Sequence, residues 1–178
     1  GVLYIRSGVR IDNLIHGGAQ ERGKRAGTEN LAAIVGLGEA IEQAHRNQPA
    51  FAERQSRLRD KLIEGLMREI PDIRLNGHPT KRLPGNVNVS IRYIEGEAML
   101  LRLDMAGVAA SSGSACTSGS LDPSHVLLAI GLPHEIAHGS LRFSISDENP
   151  ESDIDEVVRI LPPIVQNLRE MSPIYPRA

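Results

Sequence analysis

The apolar residues of this chain change their spacing at Pro71, and that change constrains the fold more than any other feature. Over residues 58–70 they recur every four positions, which is typical of a helix with one buried face. Residues 86–91 instead alternate polar and apolar side chains, which is typical of a strand covered on one side. The sequence therefore predicts an α/β chain that includes a small α+β domain, with an antiparallel sheet packed against helices. The four helical positions are Leu58, Leu62, Leu66 and Ile70.

Prolines and the first residues set further expectations for this fold. Residues 30–70 are predicted to be helical, with a kink or a helix start at Pro49. Pro162 and Pro163 remove two backbone donors from the last helical pattern, so we expect a kink or a break there. Residues 1–6 are rich in β-branched and aromatic side chains and predict an opening strand.

A second alternating run covers residues 140–146 and predicts another strand. Leu141, Phe143 and Ile145 share one face, and Arg142 points to the other. One interpretation of Arg142 is a solvated arginine on a strand. If its face lines a cleft, the guanidinium can instead bind a carboxylate through two parallel hydrogen bonds.

Composition excludes several classes of partner. The net charge is −2 and the chain has three Tyr, two Phe and no Trp, so neither a basic field nor a stacking surface favours nucleic acid. No apolar run approaches the roughly 20 residues that cross a bilayer, so no membrane partner is expected. A single Cys cannot form an internal disulfide, which fits a reducing compartment and predicts a cytoplasmic protein.

That cysteine, Cys116, stands in a run of small residues at positions 111–120. Such a run has no bulky apolar side chain to anchor it in a core, so it predicts a mobile loop that exposes a nucleophile. The alternative is a buried structural thiol, which is common for free cysteine. The predicted short helix, capped by Asp122 and Pro123, begins too late for its dipole to assist the thiolate.

Residues 15–30 form a glycine-rich segment that leads into the long helix. Residues 18–24 match the first half of a nucleotide-binding P-loop, but Arg25 stands where Ser or Thr would reach Mg²⁺, so nucleotide hydrolysis is not predicted. Thr28 is predicted as the N-cap of the helix, and the cations nearby suit a phosphate. A plain capping loop with solvated charges is the alternative. The cations are Arg22, Lys24 and Arg25.

A metal site is not predicted, although the chain has six histidines. His134 and His138 are four residues apart, yet Pro133 and Gly139 make a continuous helix between them doubtful. Cys116 has no second cysteine with which to form a zinc ligand pair.

Six short motifs along the chain together resemble the NifS/IscS-type cysteine desulfurases, which are class V aminotransferases of the fold type I pyridoxal-phosphate enzymes. The motifs stand in the family's order, and they match only the C-terminal portion of its members. Ala19 departs from the family, which often has a third glycine there. The motifs are residues 1–6, 16–23, 25–30, 111–116, 123–126 and 141–144.

The resemblance implies an enzyme that converts L-cysteine to L-alanine and holds the sulfur as a persulfide for iron–sulfur cluster assembly. Cys116 matches the family's sulfur-accepting cysteine, and Arg142 matches the arginine that binds the substrate's α-carboxylate. Thr28 matches a threonine that reaches the phosphate of pyridoxal 5′-phosphate in the neighbouring subunit of a homodimer. The implied partner is a sulfur-acceptor iron–sulfur scaffold protein.

In the family, the lysine that holds the cofactor and the groups around its ring precede the portion that this chain resembles. We therefore expect the isolated chain to be inactive, and the abrupt start at Gly1 predicts a piece of a longer polypeptide. Residues 1–45 are predicted to end the large cofactor-binding domain, and residues 46–178 to form the small domain with the cysteine loop. The alternative is a non-catalytic sulfur-relay or scaffold module, or a partner chain, that lacks the lysine.

Overall fold

The computed structural model describes residues 1–112 and 123–176 of the chain. The chain divides into two compact units, Gly1–Pro49 and Ala50–Ala178. Helix α1 (Leu31–Glu69) contributes residues to both units. The predicted division into 1–45 and 46–178 refers to the domains of a longer protein, and it stays a prediction.

The first unit contains a small hairpin. Strands β1 (Ala19–Gln20) and β2 (Arg25–Ala26) pair antiparallel around a 3₁₀ turn at Glu21–Gly23. The predicted opening strand is wrong, because residues 1–6 form no strand. Val2 and Tyr4 are 79% and 84% exposed, and a strand is not stable without a neighbour to pair with.

The start of α1 differs from the predicted one by two residues. Asn30 Oδ1 accepts a hydrogen bond from the backbone N–H of Ala33 at 3.1 Å, which is the geometry of an N-cap side chain. The prediction that Thr28 caps this helix is therefore wrong. Thr28 belongs to the loop before the helix.

Both proline-containing helices are continuous. Pro49 lies inside α1, so no helix starts there. Pro162 and Pro163 lie inside α5 (Glu151–Met171), so no break occurs there and the alternative, a kink, stays a prediction. Leu161 and Val165 flank the two prolines and are 0% and 2% exposed. Their burial stabilises the helix on both sides of the missing backbone donors.

The second unit is built on a three-stranded antiparallel sheet, as predicted. Its strands are β3 (Ile73–Leu75), β4 (Asn86–Ile91) and β5 (Ser140–Ser144), in the order β3–β4–β5. In this register Val89 of β4 lies opposite Leu75 on one side and Leu141 on the other. One face of the sheet is therefore apolar across all three strands.

Helices cover that apolar face and form the main core with it. The second half of α1, α2 (Gly96–Met105) and α5 contribute the helical side of this core. The confirmed fold is thus a sheet with one covered face and helices packed on it. The buried core side chains that carry this packing include Leu58, Leu62, Leu66, Val87, Val89, Ile91, Met99, Leu103, Leu141, Phe143, Leu161 and Val165.

The remaining helices are short. Helix α2 is followed by Gly107, which has a φ of +80°. Helix α3 (His125–Ala129) begins after Ser124, and Asp122, which the sequence predicts to cap it, lies outside the described residues. Helix α4 (His134–His138) contains both histidines, so the doubt about a helix there was wrong. In the part of the chain that the structure describes, no helix has the length and apolarity to cross a membrane.

Candidate functional site

Arg142 lies in the middle of β5, on the polar face of the sheet. Its neighbours Leu141 and Phe143 are 0% and 5% exposed on the covered face, and Arg142 itself is exposed. The predicted division of faces along this strand is confirmed. The guanidinium is accessible, so it can bind an anion.

A backbone bridge ties Arg142 to Ser111. The N–H of Ser111 donates to the carbonyl oxygen of Arg142 at 3.0 Å, and the N–H of Arg142 donates back at 2.6 Å. Ser111 thus continues the sheet beyond β5 at the start of the small-residue run. Cys116 and residues 113–122 lie outside the described residues. The predictions of a mobile cysteine loop and of its alternative, a buried thiol, therefore stay predictions.

The position opposite Arg142 on the neighbouring strand is occupied by Asn88. Asn76 donates from Nδ2 to Asn88 Oδ1 at 2.7 Å and to Ser90 Oγ at 2.8 Å. Sequence reasoning missed this group. The polar positions of β4 were visible as alternation, but the sequence does not say which residue of another strand lies opposite them.

Asn76 is held from its other side by Arg82, whose Nη2 donates to the Asn76 carbonyl oxygen. Burial, and secondly the charge of Arg59, lowers the pKa of Arg82. Arginine side chains stay protonated in proteins because their ordinary pKa lies far above neutral pH. Arg82 therefore stays a cationic donor that fixes the loop between β3 and β4.

Thr28 is exposed in the loop after β2. Arg25 Nη1 donates to the carbonyl oxygens of Gly27 and Thr28, each at 3.3 Å. The N–H of Gly27 donates to the carbonyl oxygen of Gly18 at 3.0 Å and closes the loop. These bonds use the backbone of Thr28, and its hydroxyl remains at the surface.

A cleft of about 790 Å³ lies beside this loop in the first unit. Arg22, Lys24 and Arg25 line it together with apolar residues from the first part of the chain. Thr28 is not among its lining residues. The three cations of the glycine-rich segment thus line one cleft, and their role in phosphate binding stays a prediction.

The two histidines of α4 lie close together, with ring centroids 5.3 Å apart. His138 Nδ1 is 3.9 Å from Glu95 Oε2. Over residues 1–112 and 123–176, no three His, Cys, Asp or Glu side chains are grouped so that they could hold a metal ion.

Comparison with known proteins identifies relatives over nearly the whole chain. A cysteine desulfurase IscS of Clostridium botulinum (strain Hall) is 60% identical over 177 residues, which cover 98% of this chain and 45% of that protein. A cysteine desulfurase IscS of Methanosarcina thermophila is 58% identical over 177 residues, covering 99% of this chain and 44% of that protein. The chain therefore spans less than half the length of these curated relatives.

Solved structures agree on the fold. A NifS-like protein superposes with a TM-score of 0.78 and 34% identity, covering 93% of this chain and 42% of that one. A NifS-like protein from Rickettsia africae gives a TM-score of 0.78 at 29% identity, covering 89% and 41%. The expected fold, part of a fold type I enzyme, is confirmed. The family model described as aminotransferase class-V matches residues 1–157, and the chain therefore belongs to the class-V aminotransferases, a family of pyridoxal-phosphate enzymes.

Proposed function

We propose that this chain is the C-terminal part of a pyridoxal-phosphate-dependent cysteine desulfurase. The enzyme converts L-cysteine to L-alanine and retains the sulfur on Cys116 as a persulfide. The observation that carries the proposal is the 60% identity, over 98% of this chain, to a protein named cysteine desulfurase IscS. The accessible guanidinium of Arg142 and its bridge to the start of the cysteine run support it.

Arg142 binds the α-carboxylate of the amino-acid substrate in this proposal. A planar guanidinium matches the two oxygens of a carboxylate. The exposed position on the polar face of β5 leaves that contact sterically open. The strand is a rigid support, because the side chains on either side of Arg142 are anchored in the core.

Cys116 accepts the sulfur. It follows Ser111 by five residues, and five residues span at most about 17 Å. The bridge between Ser111 and Arg142 therefore keeps the thiol within one short loop of an amino acid held by Arg142. That arrangement supports direct transfer between substrate and cysteine.

The transfer step balances without an added oxidant or reductant. The Cys116 thiolate attacks the sulfur of bound L-cysteine, so an S–S bond forms and the substrate's C–S bond breaks. The electron pair of the broken bond stays on the substrate carbon, which takes up a proton and becomes the methyl group of L-alanine. Cys116 is left as a persulfide, whose outer sulfur is ready for a second thiol.

The residues present fit the phosphate end of the cofactor. Thr28 offers an exposed hydroxyl in a loop whose backbone is already fixed by Arg25, and a hydroxyl is a suitable donor to a phosphate oxygen. When bound, pyridoxal 5′-phosphate supplies the electron sink for chemistry at the substrate's α-carbon. By the family resemblance, Thr28 serves the cofactor of the other subunit, so the proposed enzyme is a homodimer.

The proposal includes the wider setting of the enzyme. Residues 1–45 finish its large cofactor-binding domain and residues 46–178 form its small domain. The persulfide sulfur passes to an iron–sulfur scaffold protein in the cytoplasm. The single cysteine supports a reducing compartment, because no internal disulfide can form.

A hybrid enzyme tests this function. The N-terminal part of the Clostridium botulinum relative is joined to this chain, and L-alanine production from L-cysteine is measured with pyridoxal 5′-phosphate present. We expect activity from the hybrid, none from the chain alone, and loss of activity on Cys116→Ser. Arg142→Gln should raise KM for L-cysteine by at least about tenfold, because a charge-assisted pair is lost.

Three results would contradict the proposal. L-alanine released by the isolated chain would show that the expected inactivity is wrong. An unchanged rate in the Cys116→Ser hybrid would remove the sulfur-acceptor role. An inactive hybrid whose Cys116 still accepts sulfur from an added persulfide would instead identify a relay module.

A further inference from the structure

A buried amide fixes the orientation of Asn88 on the polar face of the sheet. Asn76 is 2% exposed, and its backbone N–H donates to the Asn88 carbonyl oxygen at 2.9 Å. Its Nδ2 uses both protons, one to Asn88 Oδ1 at 2.7 Å and one to Ser90 Oγ at 2.8 Å. Since Oδ1 of Asn88 accepts on that side, the Nδ2 donors of Asn88 face away from Asn76.

The opposite orientation of the two amides is less favourable. In the observed arrangement, Asn76 Oδ1 is the only atom of that amide left buried without a hydrogen-bond partner within the described residues. Turning both amides over would place the two N–H donors of Asn76 in that position instead. Two unsatisfied donors cost more than one unsatisfied acceptor, so the network selects the orientation in which Asn88 presents N–H groups.

Asn88 and Arg142 are directly opposite each other on neighbouring strands. The Asn88 carbonyl oxygen is bonded to Asn76, and the backbone N–H and carbonyl of Arg142 are bonded to Ser111. The two residues therefore form the non-hydrogen-bonded type of antiparallel pair, in which Cα atoms are about 4.5 Å apart and the side chains are closest. Both side chains lie on the polar face.

This geometry brings together two side chains that both present hydrogen-bond donors. The guanidinium of Arg142 has five N–H groups and no acceptor, and the Asn88 amide has committed its oxygen to Asn76. A carboxylate accepts about four hydrogen bonds, and a guanidinium fork supplies two of them. We infer that Asn88 is a second carboxylate-binding residue, which donates to the substrate's α-carboxylate beside Arg142, and that Asn76 is the positioning residue that orients it.

The inference rests on the proposed function for the identity of the carboxylate and extends it to residues that the family resemblance did not indicate. A neutral amide adds a donor without adding charge. The Asn88 amide therefore restricts the orientation in which the carboxylate can bind. It adds nothing to the positive charge that Arg142 supplies.

The test measures carboxylate binding directly and needs neither cofactor nor turnover. Acetate and L-alanine are titrated into the ¹⁵N-labelled 178-residue chain, and the side-chain amide signal of Asn88 is followed by NMR, with ethylamine as the cationic control. We expect saturable shifts with both carboxylates and none with ethylamine. In Asn88→Ala, which lacks that amide signal, binding is followed at the side-chain Nε–H signal of Arg142. Acetate binding should weaken by about five- to tenfold, as expected for the loss of one N–H donor to a charged acceptor.

A matched pair of variants separates this contact from general charge. Asn88→Asp should weaken acetate binding more than tenfold, because it replaces the donor by a carboxylate next to Arg142. Asn86→Asp adds the same charge on the same face but lies opposite Ser144, and it should change the dissociation constant by less than about twofold. Unchanged backbone signals of Leu103 and Leu161, which are buried in the core, confirm that each variant is folded.

Failure of this inference differs from failure of the proposed function. Wild-type acetate affinity in Asn88→Ala, with binding lost in Arg142→Gln, would overturn the role of Asn88 and leave Arg142 as the sole contact. A wild-type chain that gives no saturable shift at Asn88 would overturn it as well. An inactive hybrid enzyme whose acetate binding still depends on Asn88 would refute only the desulfurase activity. In an active hybrid, Asn88→Ala should raise KM for L-cysteine and leave kcat near its original value.

Discussion

Gly65 offers a sharp test of how α1 packs against α5. A β-carbon built at Gly65 would lie 2.6 Å from Cγ2 and 2.9 Å from Cγ1 of Val158. Carbon atoms in contact prefer about 3.5–4.0 Å, so Gly65→Ala forces a clash of nearly 1 Å. Val158 cannot turn away cheaply, because a β-branched side chain in a helix has one strongly preferred rotamer.

The expected change in the free energy of unfolding is the difference between two opposing contributions. Overpacking a core costs about 1–3 kcal/mol, and replacing Gly by Ala inside a helix gains about 1 kcal/mol. Gly65→Ala alone should therefore lower the free energy of unfolding by about 0–2 kcal/mol. With Val158→Ala present, both methyl groups that clash are gone, and Gly65→Ala should raise it by about 1 kcal/mol.

The assay is urea denaturation of the four proteins of the double-mutant cycle, followed by circular dichroism at the helix band. The coupling free energy between the two positions should be about 1–3 kcal/mol. Val158→Ala alone should cost about 1 kcal/mol, because its two methyl groups are only partly buried. Effects that add within about 0.5 kcal/mol would refute the close helix contact.

Three further predictions concern local interactions. Asn30→Ala should destabilise the start of α1 by about 1 kcal/mol and speed amide hydrogen exchange there, whereas Thr28→Ala should leave that exchange unchanged, because Asn30 is the cap. Gly139→Ala should prevent stable folding in a thermal melt, since its β-carbon would lie 2.1 Å from a backbone oxygen of β4. The hydrogen bond from Arg159 lowers the pKa of Glu156 from 4.5, so its stabilising contribution is present above that pH and is lost as the pH falls through the lowered pKa. Wild-type stability should fall more steeply than that of Glu156→Gln between pH 5 and pH 3, and equal slopes would contradict this.

The parts of the fold that the sequence predicts correctly are those with a strong period. Four-residue spacing identified the buried face of α1, and alternation identified β4 and β5, because burial on one side of an element requires those repeats. The helix break predicted at Pro162 and Pro163 does not occur, and the reason is physical. Pro163 removes a backbone hydrogen bond inside α5, which costs free energy locally. The burial of Leu161 and Val165 outweighs that cost.

The candidate site was predictable only one strand at a time. Arg142 could be assigned to the polar side of its strand from alternation alone. Its pairing with Asn88 depends on register between segments 54 residues apart, and the sequence carries no direct record of register. The role of Asn76 is harder still to predict from the sequence, because Asn76 acts on Asn88 through a side-chain hydrogen bond.

Register links the core to the candidate site. A one-residue slip of β5 would move Leu141 and Phe143 to the polar face and drive Arg142 into the core. Burying that charge without a partner would cost several kcal/mol, and the exposed apolar area would add to the loss. The burial of two apolar side chains therefore holds the guanidinium opposite Asn88, and the same register sets the strand edge to which Ser111 binds. The residues that stabilise the fold are in this way the ones that position the proposed carboxylate contact.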